Sequence, residues 1–220
     1  MLISELKIAT LISSYFDQNA YIVHLKNSKD CFIVDAGFDA DKIVNFLEEN
    51  SYNPIAILVT HGHVDHIGGN KTIQKTWKDC KIYIGKDDAE KLTNPEKNLS
   101  QPFGFSITSP PADYLLKDGE KIIIAGIPIT VLHIPGHSIG HVIFYIAGDD
   151  GNIVFVGDVI FCNSIGRTDF PDGNYNDLIE GIRHKILTLP GNTVLYPGHG
   201  QETTLERELR YNPYLQGDVC

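Results

Sequence analysis

Short apolar runs alternate with amphipathic segments in residues 1–85. Apolar stretches of this length, bounded by turn residues, are typical of strands inside a covered sheet. The predicted strands are Ala20–Leu25, Cys31–Asp35, Ile55–Thr60 and Lys81–Ile84. A first helix is predicted over Asp41–Glu49, because Ile43 and Leu47 lie on one face. A second helix is predicted from about Asp65 to Trp77.

The second half of the chain repeats this alternation after a polar, proline-containing stretch. That stretch, residues 86–118, predicts a long surface loop with a short helix near Ala89–Leu92. Further strands are predicted at Lys121–Ile124, Ile129–His133, His141–Ile146, Ile153–Val156 and Thr193–Tyr196. One more helix is predicted over Tyr175–Leu187. Strands that alternate with helices indicate an α/β fold in which helices cover buried sheets.

Residues that can bind metals follow several of these strands directly. His61 and His63 are two apart in an extended segment, so their side chains point to one side and can hold one cation. Asp65 and His66 begin the next helix and project toward a second position. The other candidates at strand ends are Asp35, His137, Asp158 and His199.

These candidates complete two sets of ligands. His137 fits the first metal, His199 fits the second, and a carboxylate such as Asp158 can bridge both. Imidazoles and carboxylates without thiolates suit zinc, iron or manganese. Asp35 has two equally good interpretations: it caps the turn that follows it, or it holds a ligand histidine.

Isolated histidines are interpreted differently from the cluster at residues 61–66. A lone histidine is more often a packing or surface residue than a ligand. We therefore expect structural roles for His24, His133, His141 and His184. Since His133 and His141 flank His137, they either support a ligand or merely pack.

The chain is acidic, with 18 Lys and Arg against 28 Asp and Glu and a net charge of −10 over 220 residues. This negative charge argues against a protein that binds nucleic acid or an anionic membrane in general. No apolar run reaches the roughly 18 residues of a membrane span, and the N-terminus lacks the pattern of a secretory signal. Since the cysteines show no paired spacing, we expect a reduced, cytoplasmic protein. They are Cys31, Cys80, Cys162 and Cys220.

Several motifs occur in an order that resembles the metallo-β-lactamase-fold hydrolases. They are VDAG at 34–37, THGHVDHIGG at 60–69, PGHSIGH at 135–141, GDVIF at 157–161 and YPGHG at 196–200. The resemblance covers essentially the whole chain. It implies a four-layer α/β/β/α sandwich with a two-metal site at one edge of the sheets. Residues 1–220 are therefore expected to form a single domain of this fold.

Within that family, the likeness is to the short, single-domain bacterial members of the glyoxalase II group. It rests on SIGRTDFP at 164–171 and on GHGQETTLERELRYNPYL near the end of the chain. Those enzymes hydrolyse S-D-lactoylglutathione to D-lactate and glutathione. The resemblance implies one metal held by His61, His63, His137 and Asp158, and another held by Asp65, His66, Asp158 and His199.

The same resemblance implies a small-molecule substrate, a thioester derived from glutathione. Zinc is the first expectation for the two divalent ions, with iron or manganese as alternatives. A water bridging two metals loses a proton near neutral pH, and the resulting hydroxide can attack the thioester carbonyl. Asp65 and Asp158 are the catalytic carboxylates in this scheme, and Asp35 holds a ligand histidine or its loop. Arg167 matches a glutathione-contacting position and would bind a substrate carboxylate.

Two departures from the family pattern keep alternatives open. The C-terminal helical domain of longer glyoxalase II enzymes, whose basic residues help to hold glutathione, is not expected here. The GRTDF segment is also shared with persulfide dioxygenases, which would place a single iron at His61, His137 and Asp158. A lactone hydrolase or a regulatory metal-binding protein of this fold is a further alternative. β-Lactamase activity is disfavoured, since zinc β-lactamases do not use a bridging aspartate at the position of Asp158. The physiological thioester, the metal in the cell, the oligomeric state and the role of the 86–118 loop stay open.

Overall fold

The computed structural model describes residues 1–216 and builds them around two facing β-sheets. The first sheet has the strand order β1-β2-β3-β4-β5-β6, with antiparallel pairing from β1 to β3 and parallel pairing from β3 to β6. Its strands are β1 (Leu6–Ile12), β2 (Asn19–Leu25), β3 (Asp30–Val34), β4 (Asn53–Val59), β5 (Lys81–Gly85) and β6 (Tyr114–Leu116).

The second sheet has the order β14-β13-β10-β9-β8-β7, in which β10 and β13 are parallel and the other neighbours antiparallel. Its strands are β7 (Lys121–Ile124), β8 (Ile127–His133), β9 (Val142–Gly148), β10 (Gly151–Gly157), β13 (Val194–Pro197) and β14 (Thr203–Thr204). A separate hairpin joins β11 (Ile160–Phe161) to β12 (Ser164–Ile165).

Alternating side chains divide each strand between two apolar cores. In β2, Tyr21 and Val23 face the other sheet, whereas Ala20 and Ile22 face the helices. This division follows from the two-residue repeat of an extended chain. The strands are therefore apolar on both faces, which explains why continuous apolar runs predicted them.

Helices cover the outer face of each sheet. α1 (Ala40–Glu49), α2 (Val64–Ile67) and α3 (Asn70–Thr76) pack on the first sheet, and α4 (Tyr175–Gly181) and α5 (Leu205–Tyr211) pack on the second. The order of layers is helix, sheet, sheet, helix, so the predicted α/β/β/α sandwich is confirmed. In the described part of the chain, no helix is long and apolar enough to cross a membrane.

The helix predicted from about Asp65 to Trp77 is wrong as one continuous element, because α2 and α3 are separated at Gly68 and Gly69. The N–H of Gly69 donates to the carbonyl of Ala36 at 2.8 Å, outside the helix. A Cβ at residue 69 would lie 2.5 Å from the carbonyl oxygen of Gly37, so only glycine permits this approach. The interruption fixes the first turn, which carries Asp65 and His66, against the end of β3.

The 86–118 stretch is less irregular than predicted. A 3₁₀ helix spans Lys86–Leu92, where the sequence indicated a short helix, and the stretch also contains β6. The predicted helix Tyr175–Leu187 consists of α4 followed by a π-helical segment, Ile182–Ile186. The sequence prediction missed β1 and α5. Among residues 1–216, Cys31, Cys80 and Cys162 are free thiols, whereas Cys220 lies outside the described residues.

Candidate metal centre

The histidine and aspartate candidates meet where several strands end at one edge of the two sheets. His61 and His63 follow β4, and His137 follows β8. Asp158 and His199 follow the parallel strands β10 and β13. Three overlapping groups of side chains bring their ligand atoms within 4.8 Å of one another: His61, His63 and His137; His61, His66 and Asp158; and Asp65, His66 and His199.

The first group consists of three buried imidazoles. Nδ1 of His63 lies 3.0 Å from Nε2 of His137, which lies 3.2 Å from Nε2 of His61. Nitrogen atoms of three rings therefore converge on one point. Another group is formed by Asp65, His66 and His199, with Oδ2 of Asp65 lying 3.3 Å from Nε2 of His199 and 3.7 Å from Nε2 of His66.

The carboxylate of Asp158 lies between these two groups. Its Oδ1 atom is 3.5 Å from Nε2 of His66, and its Oδ2 atom is 3.5 Å from Nε2 of both His137 and His199. Gly198 makes this packing possible, since a Cβ there would lie 2.2 Å from Oδ1 of Asp158. The carboxylate thus faces both groups, as a bridging ligand must.

The charges and unpaired atoms of this cluster fit a metal. Nε2 of His66 and Oδ1 of Asp158 are buried without hydrogen-bond partners, and coordination would satisfy both atoms. Burial and neighbouring imidazoles hold the pKa of His61 and His63 well below the usual value, so both rings are neutral at pH 7. Burial acts to raise the pKa of Asp65 and Asp158, but His66 and the other neighbouring histidines together outweigh it, and both pKa values are lowered. Neutral imidazoles and ionised carboxylates are the forms that bind metals.

The raised pKa of His66 also shows that the site around this ring favours a positive charge. Burial alone would lower its pKa, but the surrounding carboxylates, led by Asp65 and Asp158, raise the pKa well above its ordinary value. A cation is therefore favoured between these carboxylates. The nitrogen and oxygen donors suit zinc, iron or manganese, as the sequence predicted.

Hydrogen bonds outside the cluster select one tautomer for several of the rings. Nδ1 of His137 lies 2.9 Å from the carbonyl of Arg167, and Nδ1 of His199 lies 2.8 Å from the carbonyl of Phe16. A carbonyl only accepts, so each Nδ1 carries the proton and each Nε2 keeps its lone pair for the centre. His63 differs, because its Nδ1 faces the centre.

Asp35 combines the two roles that the sequence left open. Its backbone adopts φ +56° at the turn after β3. Its carboxylate accepts hydrogen bonds from the N–H and hydroxyl of Thr60, both at 2.7 Å, and lies 2.9 Å from Nδ1 of His66. The Thr60 hydroxyl uses its proton to donate to Asp35, so its oxygen Oγ1 accepts the Nδ1–H of His61 at 3.1 Å. Asp35 therefore orients His66 directly and His61 through Thr60.

His141 supports the centre, although the sequence left it undecided between support and packing. Its Nε2 accepts the backbone N–H of Asp158 at 3.1 Å, and its ring stacks on His61 at 4.8 Å between centroids. The signal in the sequence was its position in PGHSIGH, four residues after His137. His24 and His184 lie outside the centre, with His24 against Tyr52 and His184 on the surface near Glu180. His133 also stays outside, with Nε2 against the carbonyl of Ile139.

A fully buried aspartate, Asp88, was missed by the sequence prediction. Its carboxylate accepts the backbone N–H groups of Gly62 and Gly140, at 2.7 and 2.8 Å, and the hydroxyl of Ser138. The ammonium group of Lys91, also buried, lies 3.2 Å from the same carboxylate and hydrogen bonds to Ser138. These contacts join the two loops that carry His61, His63 and His137.

A cleft of about 370 Å³ is lined by five of the candidate ligands, His63, Asp65, His137, Asp158 and His199. The 86–118 stretch forms one wall through Asn98, Leu99 and Phe103, which gives this stretch a place at the site. Arg167 also lines the cleft, and its side chain is 60% exposed. Its guanidinium group forms two 2.6 Å hydrogen bonds to Asp169 and lies over the ring of Phe170.

A family model described as Metallo-beta-lactamase superfamily matches residues 15–199. The chain belongs to this superfamily. The chain is 37% identical to the "Probable metallo-hydrolase YqgX" of Bacillus subtilis, and the match covers 90% of this chain and 92% of that relative. It is 33% identical to the "Hydroxyacylglutathione hydrolase GloC" of Haemophilus influenzae, over 91% and 93% of the two chains. The family and these relatives identify a metallo-hydrolase.

Two crystal structures resemble this one over nearly the whole chain. BLEG-1 B3 metallo-beta-lactamase is 35% identical, with a TM-score of 0.91, and 96% of this chain and 100% of that chain are covered. TTHA1623, in a di-iron-bound form, is 32% identical, with a TM-score of 0.82 and coverage of 94% and 100%. The shared fold extends to both sheets and their helices.

Proposed function

We propose that this metallo-hydrolase cleaves thioesters, in particular glutathione thioesters such as S-lactoylglutathione, with a pair of metal ions. One observation carries the proposal: the carboxylate of Asp158 lies between two histidine-containing groups and faces both. The hydroxyacylglutathione hydrolase among the relatives supports the substrate class.

Each ion would be held by three side chains of its own group together with Asp158. The first set is His61, His63 and His137, and the second is Asp65, His66 and His199. When bound, such a pair supplies hydroxide at neutral pH and positive charge for the carbonyl oxygen of the substrate. The protein holds the ligands in place: Asp35 fixes His66, and the carbonyls of Arg167 and Phe16 fix His137 and His199.

Arg167 is the proposed contact for a substrate carboxylate. It lies on the cleft, and its planar guanidinium group suits bidentate binding of a carboxylate. In this structure, Asp169 occupies that geometry. Since both side chains are exposed, a substrate carboxylate can compete with Asp169 at low free-energy cost.

Three other activities are alternatives to this proposal. β-Lactam hydrolysis is one alternative, because the chain is similar to BLEG-1 B3 metallo-beta-lactamase. A persulfide dioxygenase would need a single iron, whereas the donor groups here suffice for two ions, and a relative has a di-iron-bound form. A lactone hydrolase would use the same centre with another ester-like substrate.

The deciding experiment combines metal analysis with a substrate panel. The purified protein, loaded in turn with zinc, iron and manganese, is given S-lactoylglutathione, a simple thioester, a lactone, a β-lactam and glutathione persulfide with oxygen monitoring. We expect the highest kcat/KM for a thioester and no oxygen consumption. A higher kcat/KM for the β-lactam or the lactone, or oxygen uptake with one iron per chain, would overturn the proposal.

We also propose that residues 1–220 act as one domain in the cytoplasm. The central apolar core includes residues from both sheets, so it joins the two sheets into one unit. The free thiols at Cys31 and Cys80 are buried in the reduced state, and burial raises the pKa of each to about 12. Limited proteolysis, with a single unfolding transition, tests the one-domain proposal.

A further inference from the structure

Aromatic rings form a continuous surface from the cleft onto the outside of the molecule. Phe16 contacts Phe103 edge-to-face and stacks on Phe38, with centroids 5.8 Å apart in both pairs. Phe38 also contacts Tyr15 and Phe105, at 5.7 and 6.3 Å. We call Phe16, Phe38 and Phe103 the aromatic wall, since Phe16 and Phe103 line the cleft and Phe38 extends the surface from them.

The aromatic wall lies outside the buried apolar cores of the two sheets. Phe16 is 44% exposed and Phe103 is 53% exposed, and neither belongs to a buried apolar cluster. Leaving apolar ring surface in water costs about 25 cal/mol per Å² relative to burial. A contiguous exposed apolar surface that continues into a cleft is typical of a ligand-binding site.

The backbone holds the wall in a fixed position beside the metal centre. Phe16 has φ +63° and Leu99, also in the cleft, has φ +67°, conformations that are costly for residues with side chains. The carbonyl of Phe16 accepts the bond from His199, so one residue orients a ligand and presents its ring to the cleft. The Phe103 loop is closed by a bond from Phe105 N–H to the Ser100 carbonyl at 2.9 Å.

Outside the metal centre, the lining of the cleft holds little charge. Among the described residues that line the cleft, Arg167 is the one Lys or Arg, and it hydrogen bonds to Asp169. The carboxylates in the lining are Asp65 and Asp158 of the centre itself. The rings of Phe16 and Phe103 therefore offer dispersion and apolar contact without a charged partner.

We infer that the substrate carries an uncharged apolar chain or ring beside its thioester, and that this group binds to the aromatic wall. The inference rests on the proposed thioesterase function and narrows its substrate class. A lactoyl group, which is small and bears a hydroxyl, would leave the wall uncovered. The apolar group belongs to either the acyl or the thiol side of the thioester, and both sources present the same chemistry.

The test measures kcat/KM along two series on the metal-loaded protein. One series lengthens the acyl chain of glutathione thioesters from acetyl to octanoyl, and the other lengthens the thiol of acetyl thioesters. Burial of each methylene contributes up to about 4-fold, so we expect kcat/KM to rise about 2- to 4-fold per methylene in one series. The series that rises identifies the side of the substrate on the wall.

Two variants show where any preference arises. Phe103→Ala is expected to lower kcat/KM at least about 10-fold for the longest substrate and to flatten the dependence of kcat/KM on chain length. Tyr175→Ala, which removes a similarly exposed ring outside the cleft lining, should keep the preference. Flat series, or a preference that Phe103→Ala leaves intact, would overturn the inference.

A binding measurement separates this inference from the proposed function. S-alkylglutathiones from methyl to octyl, and S-alkyl thioethers lacking glutathione, are titrated calorimetrically into the same protein. Tightening of Kd with chain length that Phe103→Ala abolishes supports the aromatic wall even if no thioester is hydrolysed. Hydrolysis of thioesters with no dependence on chain length in rate or Kd would retain the proposed function and reject the wall.

Discussion

The carboxylate of Asp88 accepts a 2.7 Å hydrogen bond from the backbone N–H of Gly62, the residue between His61 and His63. Its other oxygen accepts the N–H of Gly140, on the loop that carries His137. A single buried side chain thus sets the spacing between two loops that deliver the first group of imidazoles. This makes Asp88 a positioning residue for the proposed metal centre.

We predict that Asp88→Asn weakens both the fold and metal binding. An amide keeps one acceptor oxygen, so it leaves a buried N–H without a partner and removes a charge next to Lys91. The free energy of unfolding should fall by about 1–3 kcal/mol, and zinc affinity should fall about 10- to 100-fold. Urea unfolding and competition with a metal chelator measure the two effects.

The neighbouring Asp87→Asn is the matched control for that variant. Asp87 is exposed, and its ion pair with Lys86 is 3.9 Å long at the surface. Both measurements should stay close to those of the unsubstituted protein. Equal losses in the two variants would show that Asp88 has no special role in spacing the loops.

Asp158→Asn and Asp65→Asn should differ in the number of ions that remain. Asp158 faces His66, His137 and His199, whereas Asp65 lies near His66 and His199. We expect Asp158→Asn to lose most of both ions and Asp65→Asn to retain one per chain. Mass spectrometry of the native protein counts the ions, and full occupancy in Asp158→Asn would remove the bridging assignment.

Arg167→Ala should raise KM for glutathione thioesters about 10-fold, with little change in kcat. This is the low end of the range for charge-assisted contacts, about 1.5 kcal/mol, because the guanidinium group is exposed. Simple thioesters without carboxylates serve as the comparison. Asp169→Asn should lower KM or leave it unchanged, because it frees the guanidinium group. Unchanged kinetics in Arg167→Ala would assign that side chain to the surface pair alone.

Glu208→Gln should loosen one side of the cleft. Glu208 is fully buried in α5 and accepts hydrogen bonds from the N–H of Asn163, at 2.7 Å, and from Asn212, at 3.0 Å. Asn163 lies in the hairpin whose strands place Phe161 and Ser164 in the cleft. We expect a loss of about 1–3 kcal/mol in unfolding free energy and a raised KM.

The exposed Glu206 in the same helix provides the control for Glu208. Its pair with Arg210 is 3.9 Å long, and Glu206→Gln should change stability by less than about 0.5 kcal/mol. Steady-state kinetics and thermal unfolding of both variants decide the matter. A Glu208→Gln protein with unchanged KM and stability would show that the hairpin does not depend on α5.

The convergence of the ligand candidates was accessible from the sequence because it depends on strand ends. Apolar runs located β3, β4, β10 and the strand before His199, and neighbouring parallel strands end at the same edge of a sheet. His61, Asp158 and His199 each follow such a run. The resemblance then supplied the grouping of the ligands, which residue spacing alone left open.

Other features depend on contacts that have no local pattern. In the sequence, Asp88 and Glu208 look like ordinary charged residues of surface helices. Both are buried in the fold, where their hydrogen-bond partners include groups distant in sequence, such as the Gly140 N–H for Asp88. β1 is an edge strand in which most side chains are partly or fully exposed, so its apolar pattern is weak. The aromatic wall joins Phe16 and Phe103, which are far apart in sequence.

The most direct test of the proposed dinuclear thioesterase is a stoichiometric titration. The metal-free protein receives zinc in small steps, and hydrolysis of S-lactoylglutathione and of a longer acyl thioester of glutathione is followed at each step. The proposed centre predicts a rate that climbs until two equivalents per chain are bound and then stays constant. A full rate at one equivalent, or no thioester hydrolysis at any ratio, would contradict it.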